Sequence, residues 1–156
     1  MNSRTLASLA LGGLVVLGTA GCAAITPQAT TINYSPADGV NVPLPQDSPV
    51  EILNALVVTD EDGRDGGFVA TIVNSSDSRA SVSLDWGGGA GELTVPANSS
   101  VSLGGDEDPL LLENIDTPAG ATLPIVFNAG GEPVEAEVQV FDETLEYLEG
   151  LAPSED

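Results

Sequence analysis

Histidine and lysine are absent from this 156-residue chain. Cysteine and methionine occur once each, and the basic residues are Arg4, Arg64 and Arg79 alone. Each absence removes a class of function. Without His there is no His-based catalytic triad and no imidazole metal ligand. Without Lys there is no Schiff-base amine and no P-loop. With 24 acidic residues and a net charge of −21, the chain has no basic footprint to replace phosphate counterions, so nucleic acid is not a partner. An anionic bilayer surface repels such a body. What remains is weighted toward binding and structural roles, in one domain by length.

What is present begins with an address. Residues 1–4 (M-N-S-R) carry one Arg, and residues 6–18 hold no charge. As a helix this stretch rises about 20 Å, short of a hydrocarbon core of roughly 30 Å. It has the length of a signal-peptide h-region. Thr19–Ala20–Gly21–Cys22 follows. This resembles the bacterial lipobox, with Ala20, Gly21 and Cys22 in place and Thr19 where Leu is usual. The resemblance implies cleavage between Gly21 and Cys22 and a covalent diacylglycerol on the Cys22 sulfur, with palmitate as the typical acyl group. It also accounts for an odd thiol in an exported protein. Two acyl chains anchor stably where one does not. The expected location is therefore the outer face of the plasma membrane. Residues 1–21 read as signal peptide and 22–49 as an acylated tether.

Pro27, Pro36, Pro43, Pro45 and Pro49 crowd that tether. Such density disfavours helix and central strand alike, and predicts an extended spacer of about 3 Å per residue. Its later part, residues 33–42, carries Tyr34, Val40 and Val42 and is expected to dock on the body as an edge strand or strap.

From Val50 the pattern has period two, the strand signal. Strands are expected over 50–59, 67–74, 80–86, 92–95, 99–103, 109–115, 121–128 and 133–141. The first is almost wholly apolar and reads as buried on both faces. In the others Phe68, Ala70 and Ile72, then Val82, Leu84 and Trp86, then Leu123, Ile125 and Phe127, and Val134 to Val140 in alternation, point inward. Turn residues fall between them about every ten positions. The pattern predicts an all-β domain over 50–141, an immunoglobulin-like or cupredoxin-like antiparallel sandwich of seven to eight strands. Phe68, Trp86 and Phe127 should dominate its core. Residues 142–156 form an acidic tail in which Leu145, Leu148 and Leu151 recur at spacing three. One or two helical turns packed on the body are expected there.

Four short segments carry a family resemblance. They are Y-S-P-A-D-G-V at 34–40, I-L-N-A-L-V-V at 52–58, V-A-T-I-V-N at 69–74 and, late, T-L-P-I-V-F at 122–127. Their order is similar to that in a group of small actinobacterial envelope lipoproteins. The body also resembles, distantly, the periplasmic copper chaperones of the PCuAC type, where a strand ending in an Asn, here Asn74, precedes the middle of a sandwich. That resemblance implies a fold and not an activity. Such chaperones hold Cu(I) through Met and His, and no position here matches those ligands. No copper is expected.

Candidate chemistry is sparse. D-E-D-G-R-D at 60–65 offers Asp60, Asp62 and Asp65 as oxygen donors for Ca2+. It lacks the DxDxDG phasing and a terminal bidentate Glu. The competing reading is a solvated hairpin tip that protects an edge. Asp106–Glu107–Asp108 is a second such tip. Gly87–Gly91 lacks the Lys and following helix of a phosphate loop and reads as a mobile hairpin. No nucleophile–base pair can be named, so no catalytic residue and no enzyme are expected. Apart from the diacylglycerol no cofactor is expected. The sequence thus points to a lipid-anchored, non-enzymatic binding or accessory module of the bacterial envelope. Its partners are the plasma membrane and an envelope protein or wall component. A Ca2+-binding surface domain is the alternative.

Overall fold

The longest strand, β1 (Val50–Thr59), opens with Val50 and Ile52 buried in the central core and ends with Ala55 and Val57 in that same core. Even and odd residues cannot face one way in an unbroken strand. The phase is reset between Leu53, which pairs with Thr71, and Leu56, which pairs with Val69. One extra residue is accommodated there, with Asn54 at φ 52°. This is a β-bulge, and Asn is among the few non-glycine residues that tolerate that backbone region. Beyond it Leu56 and Val58 face outward, where they are buried in a second, smaller cluster. The second half of β1 is thus covered on both sides.

The computed structural model describes residues 38–60 and 62–153. The signal-peptide and lipidation residues Gly21 and Cys22, the tether through residue 37, and Glu61 lie outside them. All described residues belong to one compact unit, Ser35–Asp156.

Seven further strands follow: β2 (Gly66–Asn74), β3 (Ala80–Asp85), β4 (Ala90–Val95), β5 (Ser99–Leu103), β6 (Leu110–Leu112), β7 (Thr122–Asn128) and β8 (Val134–Phe141). They form one mixed sheet in the order β4-β3-β7-β8-β1-β2-β5, with β6 also on β2. Every pair is antiparallel except β1 with β8, which run parallel over Leu56–Val58 and Gln139–Phe141. The all-β expectation holds, and this one parallel junction departs from an all-antiparallel sandwich.

That junction is where the sheet folds over. Phe68 of β2 and Phe127 of β7 have ring centroids 6.0 Å apart. Two strands separate β2 from β7 along the hydrogen-bonded order, which in a flat sheet is about 14 Å. The rings meet only because β1-β2-β5 with β6 stacks on β4-β3-β7-β8. Phe68, Ile52 and Ile72 from one layer, and Leu84, Ile125 and Phe127 from the other, are among the largest fully buried side chains. Each contributes about 1.5–3 kcal/mol by leaving water. Pro124 sits in β7 without penalty because β3 pairs only with Val126–Asn128. At Pro124 the strand has a neighbour on one side alone.

Two segments outside the strands grip β1. Residues 38–44 run along its open margin. Val40 exchanges backbone hydrogen bonds with Ala55, and the Val42 amide donates to Ile52. The expected strap is thus seen over its described part. At the other terminus the expected helix is a single 3-10 turn, Glu146–Leu148. Leu148 is buried against Leu56 and Val58, with Leu151 partly buried beside it. Leu145, third member of that spacing, is 41% exposed. Three leucines three apart do not share one face once the backbone makes only one turn.

Asn74 closes the opposite end. It is buried, and its amide donates to the carbonyls of Ser78, Val95 and Pro96 while its oxygen accepts from the Ser76 amide and hydroxyl. One side chain thereby fixes two turns.

Candidate functional site

The strand registers bring several connections to one end of the sandwich. Thr59 faces Gly66, Asp85 faces Ala90, and Leu112 faces Gly66. Loops 60–65, 86–89 and 113–121 therefore emerge together, with the start of the tail after Phe141. This end holds Asp60, Asp62 and Asp65, and it is the candidate site.

Its loops are bonded to one another. The amides of Ile115 and Thr117 donate to the carbonyls of Arg64 and Gly63, each at 2.8 Å. The Asn114 amide donates to Asp65 Oδ1 at 2.7 Å. Trp86, just past the end of β3, is buried, and its indole N–H donates to the Glu113 carbonyl at 2.9 Å. A Cβ on Gly88 would sit 1.9 Å from the Asn114 carbonyl oxygen. Glycine is needed there for close approach, so the expected mobile hairpin is a packed one. Asn114 and Asp116 both hold positive φ, at 56° and 45°. Strained backbone of this kind persists where its surroundings over-determine it.

The sequence pointed to the aspartates and missed Asn114 and Asp116. The E-N-I-D-T-P run carried the only signal, since Asn and Asp are the side chains that tolerate left-handed backbone.

The three aspartates have separate roles. Asp60 Oδ1 accepts the Gly63 amide at 2.8 Å, closing its own turn. Asp65 accepts Asn114, and its other oxygen stands 3.9 Å from Arg64 Nε. Asp62 is exposed. Among the described residues no group of three or more His, Cys, Asp or Glu is placed to hold a metal ion. The second acidic tip is elsewhere. β5 ends where Leu103 meets Ala70 and β6 begins where Leu110 meets Phe68. Residues 104–109 therefore leave the sheet beside Val69, halfway along its edge.

A shallow depression of about 450 Å³ lies at the same end, lined by Thr59, Asp60, Ala119, Asp142, Glu143 and Thr144. Its carboxylates are occupied. Asp142 accepts the Thr144 hydroxyl and amide, and the hydroxyl bond, foremost, holds its carboxyl below the usual value of 3.8. Glu143 Oε1 accepts the amides of Gly150 and Ala152. These carboxylates act as acceptors for the turns of the tail. The end as a whole is an acidic surface whose loops are hydrogen-bonded to one another.

No family model matches the sequence, and no curated protein matches it. Among solved structures the chain is similar to one described as "Apo PCuAC domain from PmoF1". The identity is 15% and the TM-score 0.45, over 65% of this chain and 98% of that one. The architecture described above rests on the strand pairing itself.

Proposed function

We propose that this chain is a lipid-anchored, non-enzymatic binding or accessory module on the outer face of a bacterial plasma membrane. The observation that carries the reading is the run from Arg4 through the uncharged residues 6–18 to Ala20–Gly21–Cys22. A chain so addressed is tethered at its first mature residue, and the body then works at the surface. The interlocked loops 60–65, 86–89 and 113–121 support a contact role. Preorganised loops lose little freedom on binding. The charge of −21 favours a partner with a basic face, and steers its encounter. Copper handling is not part of the proposal. The sequence has no His, and its only Met is residue 1.

The test has two arms. Metabolic labelling with an alkyne fatty acid should mark the wild-type chain and not Cys22→Ser, and Cys22→Ser should leave the membrane fraction. Equal labelling and retention of both would sink the anchor. Crosslinking in living cells, with residues 1–49 alone as control, should recover one dominant envelope partner that depends on the body. Recovery of the same proteins by both chains would remove the binding role.

A further inference from the structure

The segment entering the body and the segment leaving it grip the same stretch of β1, on either side of one bulge. Residues 38–44 hold its margin. The Gly39 amide donates to Asn54 Oδ1 at 2.8 Å, and the Asn54 amide donates to Asn41 Oδ1 at 3.0 Å. Both bonds fall on the bulge residue itself, at φ 52°. The contact is close enough that a Cβ on Gly39 would stand 2.6 Å from the Asn54 carbonyl carbon and 2.7 Å from the Ala55 oxygen. The bulge sets which way the next residues point, since a one-residue shift exchanges the two faces of a strand. It turns Leu56 and Val58 outward, and on these two the tail residue Leu148 is buried. The tail then reaches back. The Tyr147 hydroxyl donates to Asp38 Oδ2, and that bond, foremost, raises the tyrosine above its ordinary 10.0.

We propose that strap, bulge and tail form one clasp, in which release of either terminal segment loosens the other. The strap fixes the bulge, the bulge presents the apolar pair, the tail covers the pair, and Tyr147 ties the tail to Asp38 of the strap. A tug on the N-terminal side would thus be felt at the C-terminal tail. Anything that takes the tail would free the N-terminal side. Coupling between two segments is reciprocal, so one factor should describe both directions.

Hydrogen exchange by mass spectrometry on the full chain in detergent tests this. Peptides from 38–44, 142–153 and β7 are followed. Gly39→Ala, which displaces the strap, should speed exchange in the tail by about ten-fold. Leu148→Ala, which removes the tail's buried side chain, should speed exchange in the strap by a similar factor. Exchange in β7, on the opposite layer, should not change in either. Tyr147→Phe alters an exposed group and leaves the core intact, so it decides the matter if Gly39→Ala does not fold. It should speed both segments together, by about three-fold for the loss of one hydrogen bond. Each segment responding only to its own substitution, or β7 loosening in step with both, would overturn the proposal.

Discussion

The indole N–H of Trp86 donates to the Glu113 carbonyl across 27 residues of chain, and it pins the loop after β3 to the loop before β7. The ring is also buried, so one side chain both fills the core and satisfies a loop carbonyl. The two roles are separable. Trp86→Phe keeps much of the apolar volume and loses the donor, which should cost about 1 kcal/mol. Trp86→Ala also opens a cavity, and should cost about 3–5 kcal/mol. Urea denaturation measures both. If Trp86→Phe were as damaging as Trp86→Ala, the indole bond and not the packing would govern this end.

Asn74 is the counterpart at the far end. Its amide satisfies Ser78, Val95 and Pro96, and its oxygen satisfies Ser76. Asn74→Ala strands those carbonyls near the core and should cost about 1–3 kcal/mol. Asn74→Asp should be at least as damaging at neutral pH, because a carboxylate cannot donate and would be buried without a cation. Thermal melts of the two variants check the order. An Asp variant as stable as wild type would show that the carbonyls find water instead.

These two residues mark what could and could not be read in advance. Strand positions were legible because alternation survives wherever one face meets solvent, as in Val82–Ser83–Leu84–Asp85 of β3. β1 and β5 keep their expected bounds. The bulge at Asn54 was hidden because apolar residues on both faces of β1 erase the period that would show a change of phase. The parallel β1–β8 pairing was hidden because nothing local encodes which distant strand becomes a neighbour. The sixth strand was expected over 109–115 and is three residues long, because Asn114 to Thr117 bond to loop 60–65 instead. The aspartates of that loop offered oxygen donors for Ca2+ without the phasing of a calcium loop, beside the reading of a solvated hairpin tip. Spacing does not reveal that a carboxylate already has a backbone donor.

Asp142 offers a local pH test. Its carboxyl lies below the usual value because the Thr144 hydroxyl and then the Thr144 amide donate to it. The unfolded chain binds that proton at higher pH than the folded one does. The contribution is therefore present above about pH 4 and is lost as pH falls through the lowered folded value. Carboxyl-carbon NMR should show Asp142 titrating below its usual value of 3.8, and Thr144→Ala should return it to the ordinary range. Exchange of the Thr144 amide should quicken over the same interval. An unmoved titration in Thr144→Ala would assign the shift to some other neighbour.

The charge makes a global prediction, read in salt rather than in pH. A chain of net charge −21 with three basic residues repels itself, and folding brings those charges closer. Salt shortens the reach of that repulsion, to about 10 Å at 0.1 M and about 3 Å at 1 M. The melting temperature should therefore climb with NaCl and level off as screening completes. Calcium chloride matched for ionic strength separates screening from a bound ion. Under screening alone the two salts should give superimposable curves. A saturable calcium increment that vanished in Asp62→Asn would mean that loop 60–65 gathers an ion once one is supplied, with the Asp60 and Asp65 carboxylates releasing the Gly63 and Asn114 amides to ligate it.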